Sequence, residues 1–185
     1  MKNFTSCFKD VKFLTLFFKR LHKNNTGRYE ADFPYLYICA NEHNYARCDD
    51  IPIVFTELIT LPSNSSTNKY GLICNNTGKN LCQSFLPCDI YVHPLTGRVY
   101  HPSNDPPLVS GVGLIKSSLA QSISHHFIPQ DHSYDEKKNK TSDDIPITSK
   151  YFEWEGIKHK MTGSIANAVE NESFHVKGYR IKIVS

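Results

Sequence analysis

Between residues 28 and 102 the chain is a succession of short β-branched and aromatic runs, each closed by turn residues, and this pattern limits the possible folds more than any other. RYEADFPYLYI, YARC and IPIVFTELIT come first; YGLIC, NLCQSFL and DIYVH follow, with CANEHN, LPSNSSTNK and NNTGK as the polar breaks. Such residues suit a pleated, half-buried surface, and connections this short favour antiparallel neighbours, so a β-meander is expected. Pro52 has no N–H to give to a ladder and fits a strand start or an edge. In DIYVHPLTGRVYHP two β runs flank Pro94 to Gly97, which predicts a hairpin with Gly97 at positive φ.

Two stretches carry the helical period instead. The first spans MKNFTSCFKDVKFLTLFFKRLHK and repeats Phe4, Cys7, Phe8, Val11, Leu14, Phe18 and Leu21 at i+3 and i+4. It is expected to end near Lys23, where the asparagines and Gly27 of NNTGR tolerate a left-handed cap. Its lysines read as a solvated face, with a targeting signal or a membrane-surface contact as sharper alternatives. In GVGLIKSSLAQSISHHF, Val112, Ile115, Leu119, Ile123 and Phe127 fall on one face of a second helix. PQDHSYDEKKNKTSDD is charged and poor in apolar residues, which predicts a mobile insert at about 129–150. KYFEWEGIKHKMT then reads as a hairpin turning at Gly156 with Trp154 in the core, and YRIKIV as a last strand.

The order of these elements predicts an α+β fold of antiparallel β-sheets, each packed by an amphipathic helix, in two structurally repeated halves. Residues 1–88 form the helix and meander half, and residues 89–185 the hairpin-helix-hairpin half. The first half lacks a leading hairpin, so Met1 is expected to be an internal methionine or the start of a truncated chain.

Composition narrows the class. The chain of 185 residues is 39% hydrophobic and 21% charged, and no run of about 18 apolar residues occurs, so a soluble chain without a membrane span is expected. A net charge of +3 from scattered lysines and arginines argues against nucleic acid as a partner. Six cysteines and Asn-x-Ser/Thr triplets at Asn3, Asn24, Asn64, Asn75, Asn139 and Asn171 would fit a secreted disulfide protein. The first residues lack a secretory h-region, however, so reduced thiols are expected. Cys-x-x-Cys is missing, and the cysteine spacings match no zinc knuckle.

Candidate chemistry gathers in NYARCDDIPIVF. Asp49 and Asp50 could hold one proton between them as hydrolytic pairs do. Neighbouring aspartates diverge, so the weightier reading pairs one of them with Arg47 or Arg28 while the other caps a turn before Pro52. Cys48 has no activating neighbour, since Arg47 faces the opposite side of a strand and carboxylates raise a thiol's pKa. His93, His101, His125 and His126 could approach one another, but no metal-binding motif supports a site, and no metal is assigned. SGVG before Lys116 opens the second helix and could draw an anion, although close packing is the plainer role for its small residues. The resulting binding set is Arg28, Arg47, Asp49, Asp50, Tyr100 and His101, with no catalytic residue and no cofactor assigned.

MKNFTSCFKD, FFKRL, GRYEADFPYL, RCDDIPIVFTEL, GRVYHP and GVGLIKSSLA, in that order, resemble the uncharacterised eukaryotic UPF0598 family, also called DUF4505. The resemblance covers most of residues 1–128. It implies a mitochondrial protein. It also implies truncation, because in that family a leader and an aromatic YFYY hairpin with GQLFLDD precede the first helix. The acid pair, proline and apolar run are similar to the bacterial DUF1285 family as well, for which a regulatory or ligand-binding role is suggested. The charged insert and the tail beyond Thr162 depart from the pattern. The expected function is a non-catalytic binding or regulatory module for a small ligand or a protein, with a small hydrolase-like enzyme using Asp49 and Asp50 as the alternative.

Overall fold

Helix α1 (Val11–Arg20) starts on Asp10, whose carboxylate accepts the N–H of Phe13 at 2.7 Å and so satisfies one of the free amides of the first turn. The computed structural model describes residues 9–62, 68–104, 111–128 and 149–177. The helix stops at Arg20 and not near Lys23, because Leu21–Lys23 is strand β1. β1 pairs antiparallel with β2 (Tyr35–Cys39), and β2 pairs with β3 (Glu42–Ala46). Leu21 lies opposite Tyr37 and is 1% exposed, so the ladder and this burial outweigh one more helical turn. Phe17 of α1 covers the same sheet, its ring 5.0 Å from that of Tyr37. Gly27 does take a positive φ, but it serves the loop after β1, which Asn24 holds by donating to the carbonyls of Arg28 and Phe33.

The central sheet has six strands in the order β6-β5-β4-β9-β8-β7. Its first meander is β4 (Val54–Thr60), β5 (Tyr70–Cys74) and β6 (Cys82–Ser84); its second is β7 (Tyr91–Val92), β8 (Val99–Pro102) and β9 (Val112–Ile115). The meanders meet where β4 and β9 run parallel, pairing Val54 with Leu114 and Phe55 with Ile115. The sequence reading gave each half its own antiparallel sheet. Here strands from both sides of residue 88 share one sheet with a parallel seam.

GVGLI is therefore strand and not the first turn of a helix. Val112 and Ile115 would share a helical face, but in β9 they point to opposite sides and are 0% and 2% exposed in separate clusters. Gly113 supplies the reason that the strand fits. A Cβ at this position would lie 2.4 Å from Cε2 of Phe55, so only glycine admits the ring that fills the sheet's main face. Helix α2 (Ser117–Ser122) follows and packs Leu119 and Ala120 on that core.

The expected hairpins are present. Gly97 turns β7 into β8 at φ 65°. Glu155 and Gly156, both at positive φ, turn β11 (Tyr151–Trp154) into β12 (Ile157–Lys160), and β10 (Phe127–Ile128) pairs with the other edge of β11. Trp154 packs against Phe85, Phe152 and Tyr70. Helix α3 (Ala166–Lys177), which the sequence reading did not anticipate, covers the second face of the sheet, with Ile165 and Val169 on Ile51, Tyr100 and Val112. Lys23 of β1 and Glu172 of α3 pair at 2.6 Å. Residues 129–148 of the expected insert and the YRIKIV tail lie outside the described residues. Within them, no helix is long and apolar enough to cross a membrane, and Cys39, Cys48, Cys74, Cys82 and Cys88 are free thiols.

Candidate functional site

The alternation of β8 sorts the predicted site. Arg98 and Tyr100 lie two residues apart and share one side, whereas Val99 and His101 face the other. On the first side stands the segment leading into β4, anchored by Ile51 and Ile53 at 2% and 1% exposure. Asn75 fixes that segment: its Nδ2 donates to the Pro52 carbonyl at 2.9 Å and its Oδ1 accepts the Val54 N–H at 3.0 Å. Asn75 is thus a bracket between β4 and β5, and its amide is engaged by backbone.

Asp50 emerges from this segment at 8% exposure, and its Oδ2 accepts the Tyr100 hydroxyl at 2.9 Å and Nη1 of Arg98. Arg98 itself is 41% exposed. Burial, with the Asp50 carboxylate beside it, pushes the Tyr100 hydroxyl up to about 12, so it remains a donor. The carboxylate is tied up by two donors, Arg98 and Tyr100, and not by a second carboxylate.

Beside this pair opens a cavity of about 610 Å³. Its apolar floor is Val54 of β4, Leu114 of β9 and Ile51, with Ile115 at the end of β9 also lining it. Its rim carries Asp49 and Arg98 with Thr96 of the hairpin turn, and Ser117 of α2 closes one end. Cys48 also lines it, but its thiol donates to the Asp50 carbonyl at 3.5 Å, and burial pushes it up to about 11. A packing thiol is what the sequence reading expected. A second cavity, of about 460 Å³, lies between β1 and α3, where Lys23 and Glu172 neutralise each other.

Of the predicted set, Asp49 and Asp50 line the first cavity and Tyr100 supports it from behind. The other three lie elsewhere. Arg47 is exposed, and Arg28 sits in the β1–β2 loop with its guanidinium 5.7 Å from the Tyr29 ring centre, so neither is the partner of Asp50. His101 is a core residue at 2% exposure, stacked on Phe85 at 5.7 Å. Its Nε2 accepts the Leu86 N–H at 3.1 Å, which leaves the proton on Nδ1 to donate to the Pro102 carbonyl at 2.9 Å. Burial lowers its pKa, so the ring is neutral.

The remaining histidines go to different elements. His93 accepts the Leu95 N–H and places Nε2 3.1 Å from Glu170 of α3, while His126 packs on Trp154 with a centroid spacing of 4.7 Å. Among the described residues, no group of three or more His, Cys, Asp and Glu could hold a metal ion. Val112 and Gly113 open strand β9, so the anion site imagined at a helix start has no helix there.

The residue that sequence reasoning missed is Arg98. Its signal was available: it follows the hairpin glycine and shares the side of Tyr100 by period two. The family described as a domain of unknown function (DUF4505) matches residues 1–166, which takes in every wall of this cavity. The chain belongs to the DUF4505 family. A solved structure similar to this chain is that of a DUF1285 family protein from Shewanella baltica, with 15% identity, coverage of 69% of this chain and 85% of that one, and a TM-score of 0.38. The DUF4505 match ends ahead of most of α3, so the contacts of Val169 and Glu170 behind the site lie beyond it.

Proposed function

We propose that this DUF4505 protein is a non-catalytic binding module of the mitochondrion and that the cleft beside Arg98 is its ligand seat. One observation carries the reading: the buried acid of the cleft, Asp50, is already taken by Arg98 and Tyr100. Asp50 therefore positions a recognition group, and the cleft offers a half-exposed guanidinium above an apolar floor. Hydrolysis by Asp49 and Asp50 gains nothing from this geometry, because one carboxylate is paired and the other is exposed. The mitochondrial assignment is supported by the family resemblance.

Native mass spectrometry of the full chain, purified without denaturation, tests the binding role. The expected result is a bound small molecule that leaves on unfolding and whose return slows amide exchange at Thr96–Val99. A chain that carries nothing and gains no protection there from an extract of small metabolites refutes it. A fluorescent fusion that stays outside mitochondria refutes the location.

A further inference from the structure

Helix α1 lines neither cavity, and its two faces differ in kind. Phe17 and Phe18 pack inward on Leu21, Tyr35 and Tyr37, while the Thr15 hydroxyl accepts Nδ2 of Asn80 at 3.3 Å. On the opposite face Lys12, Leu16, Lys19 and Arg20 follow at i, i+4, i+7 and i+8, and all of them are exposed. Leu16, in the middle of this stripe, is 40% exposed, and Phe13 at its border is 38% exposed.

The charge of this face has one sign. No Asp or Glu occurs from Val11 to Arg20, and Asp10 is spent on the cap of the first turn. The turn Gly78–Leu81, joined to α1 through Asn80, brings exposed Lys79 to its flank. Among the described residues, none of Lys12, Lys19, Arg20 and Lys79 forms an ion pair. A merely solvated helix face mixes both signs in pairs one turn apart and does not centre a leucine. A nucleic-acid backbone would use the cations and leave Leu16 idle. The surface of an anionic bilayer uses both, because headgroup phosphates meet the cations and the acyl boundary takes the apolar side chains. Lysine and arginine stems can lie along the lipid with their charges at headgroup level. The inward face already holds α1 in its helix, so the contact carries no cost of folding the segment. We propose that α1 docks this protein on an anionic lipid bilayer, with its axis in the surface plane, Lys12, Lys19 and Arg20 on the headgroups and Leu16 in the acyl boundary.

The test is flotation of the full chain with vesicles of phosphatidylcholine alone or of equal parts phosphatidylcholine and phosphatidylglycerol. The chain should bind the anionic vesicles and not the neutral ones, and salt should weaken the binding. Lys12→Gln, Lys19→Gln and Arg20→Gln should each weaken it about fivefold, and the three together on the order of a hundredfold. Leu16→Ala should weaken it at least about threefold with an unchanged melting temperature. In Leu16→Trp, brominated acyl chains should quench emission that they leave untouched in the parent. Lys150→Gln, Lys158→Gln and Lys160→Gln together remove the same charge at the β11–β12 hairpin and should have little effect. Equal binding to neutral vesicles, no binding to anionic ones, or a loss as large in this hairpin variant as in the α1 variant overturns the proposal. It is also overturned if polyglutamate or duplex DNA binds as tightly as the vesicles and Leu16→Ala changes neither, since the face would then receive soluble polyanions.

Discussion

Replacing Gly113 by alanine adds one methyl group where the sheet has no room for it. The new Cβ would sit 2.4 Å, 2.7 Å and 3.0 Å from Cε2, Cζ and Cδ2 of Phe55. All three contacts fall on a ring that is itself 0% exposed and set edge-on to His101, so it has nowhere easy to go. Gly113 needs no positive φ, and the whole cost is therefore steric. Overpacking of this kind costs about 1–3 kcal/mol, which for a domain of this size lowers Tm by about 2–12 °C. Urea unfolding followed by Trp154 fluorescence reads the loss directly. Two controls separate packing from other causes. Gly71→Ala meets the thiol of Cys82 at 2.7 Å and the end of Leu61 at 3.0 Å, side chains on a sheet edge that can yield, so it should cost less. Phe55→Leu in the Gly113→Ala background should recover part of the loss even though it is destabilising alone. A Gly113→Ala midpoint within about 0.5 kcal/mol of the parent would refute the account of why GVGLI is a strand.

Other expectations follow from the same geometry. Asp50→Ala deprives the buried Tyr100 hydroxyl of its acceptor and should cost about 1–3 kcal/mol in chemical denaturation, with Asp50→Asn less harmful because an acceptor remains. The His101 pKa is lowered in the fold from an unfolded value of about 6.5, so its contribution is complete above that pH and is lost as pH falls towards the folded value. The measured stability slope below about pH 6.5 should thus be shallower in His101→Phe, even though that variant is weaker at every pH. Cys48, with its thiol near 11, should react with a thiol reagent at pH 8 at least about tenfold more slowly than exposed Cys39; equal rates would refute its burial.

The sequence disclosed the parts of this fold that are fixed locally. Gly97 and Gly156 marked their hairpins because a turn at positive φ is a demand of the backbone alone. The β-branched run at Val54–Thr60 marked its strand for a similar reason. GVGLI could not be resolved locally, since Val112 and Ile115 fit a helical stripe as well as two faces of a strand, and Phe55, far off in sequence, decides between them. Helix α3 went unseen because the stripe of Ile165, Ala168 and Val169 is too short to stand out among polar residues. At the site, the acid was found and its partner was not. Tyr100 and His101 stand together in the binding set read from the sequence, although alternation along β8 puts them on opposite sides, and it is Arg98 that shares the side of Tyr100.

The parallel seam between β4 and β9 also bears on how the protein comes together. Each meander can form from near neighbours in sequence, but the seam joins strands separated by both of them, and such contacts close late. Val54 and Leu114, paired across that seam, are also floor residues of the cleft. The cleft thus has no complete floor until this long-range contact is made. A ligand seated there would reinforce the assembled sheet as a whole and not one hairpin, and its occupancy would measure how much of the population has finished folding.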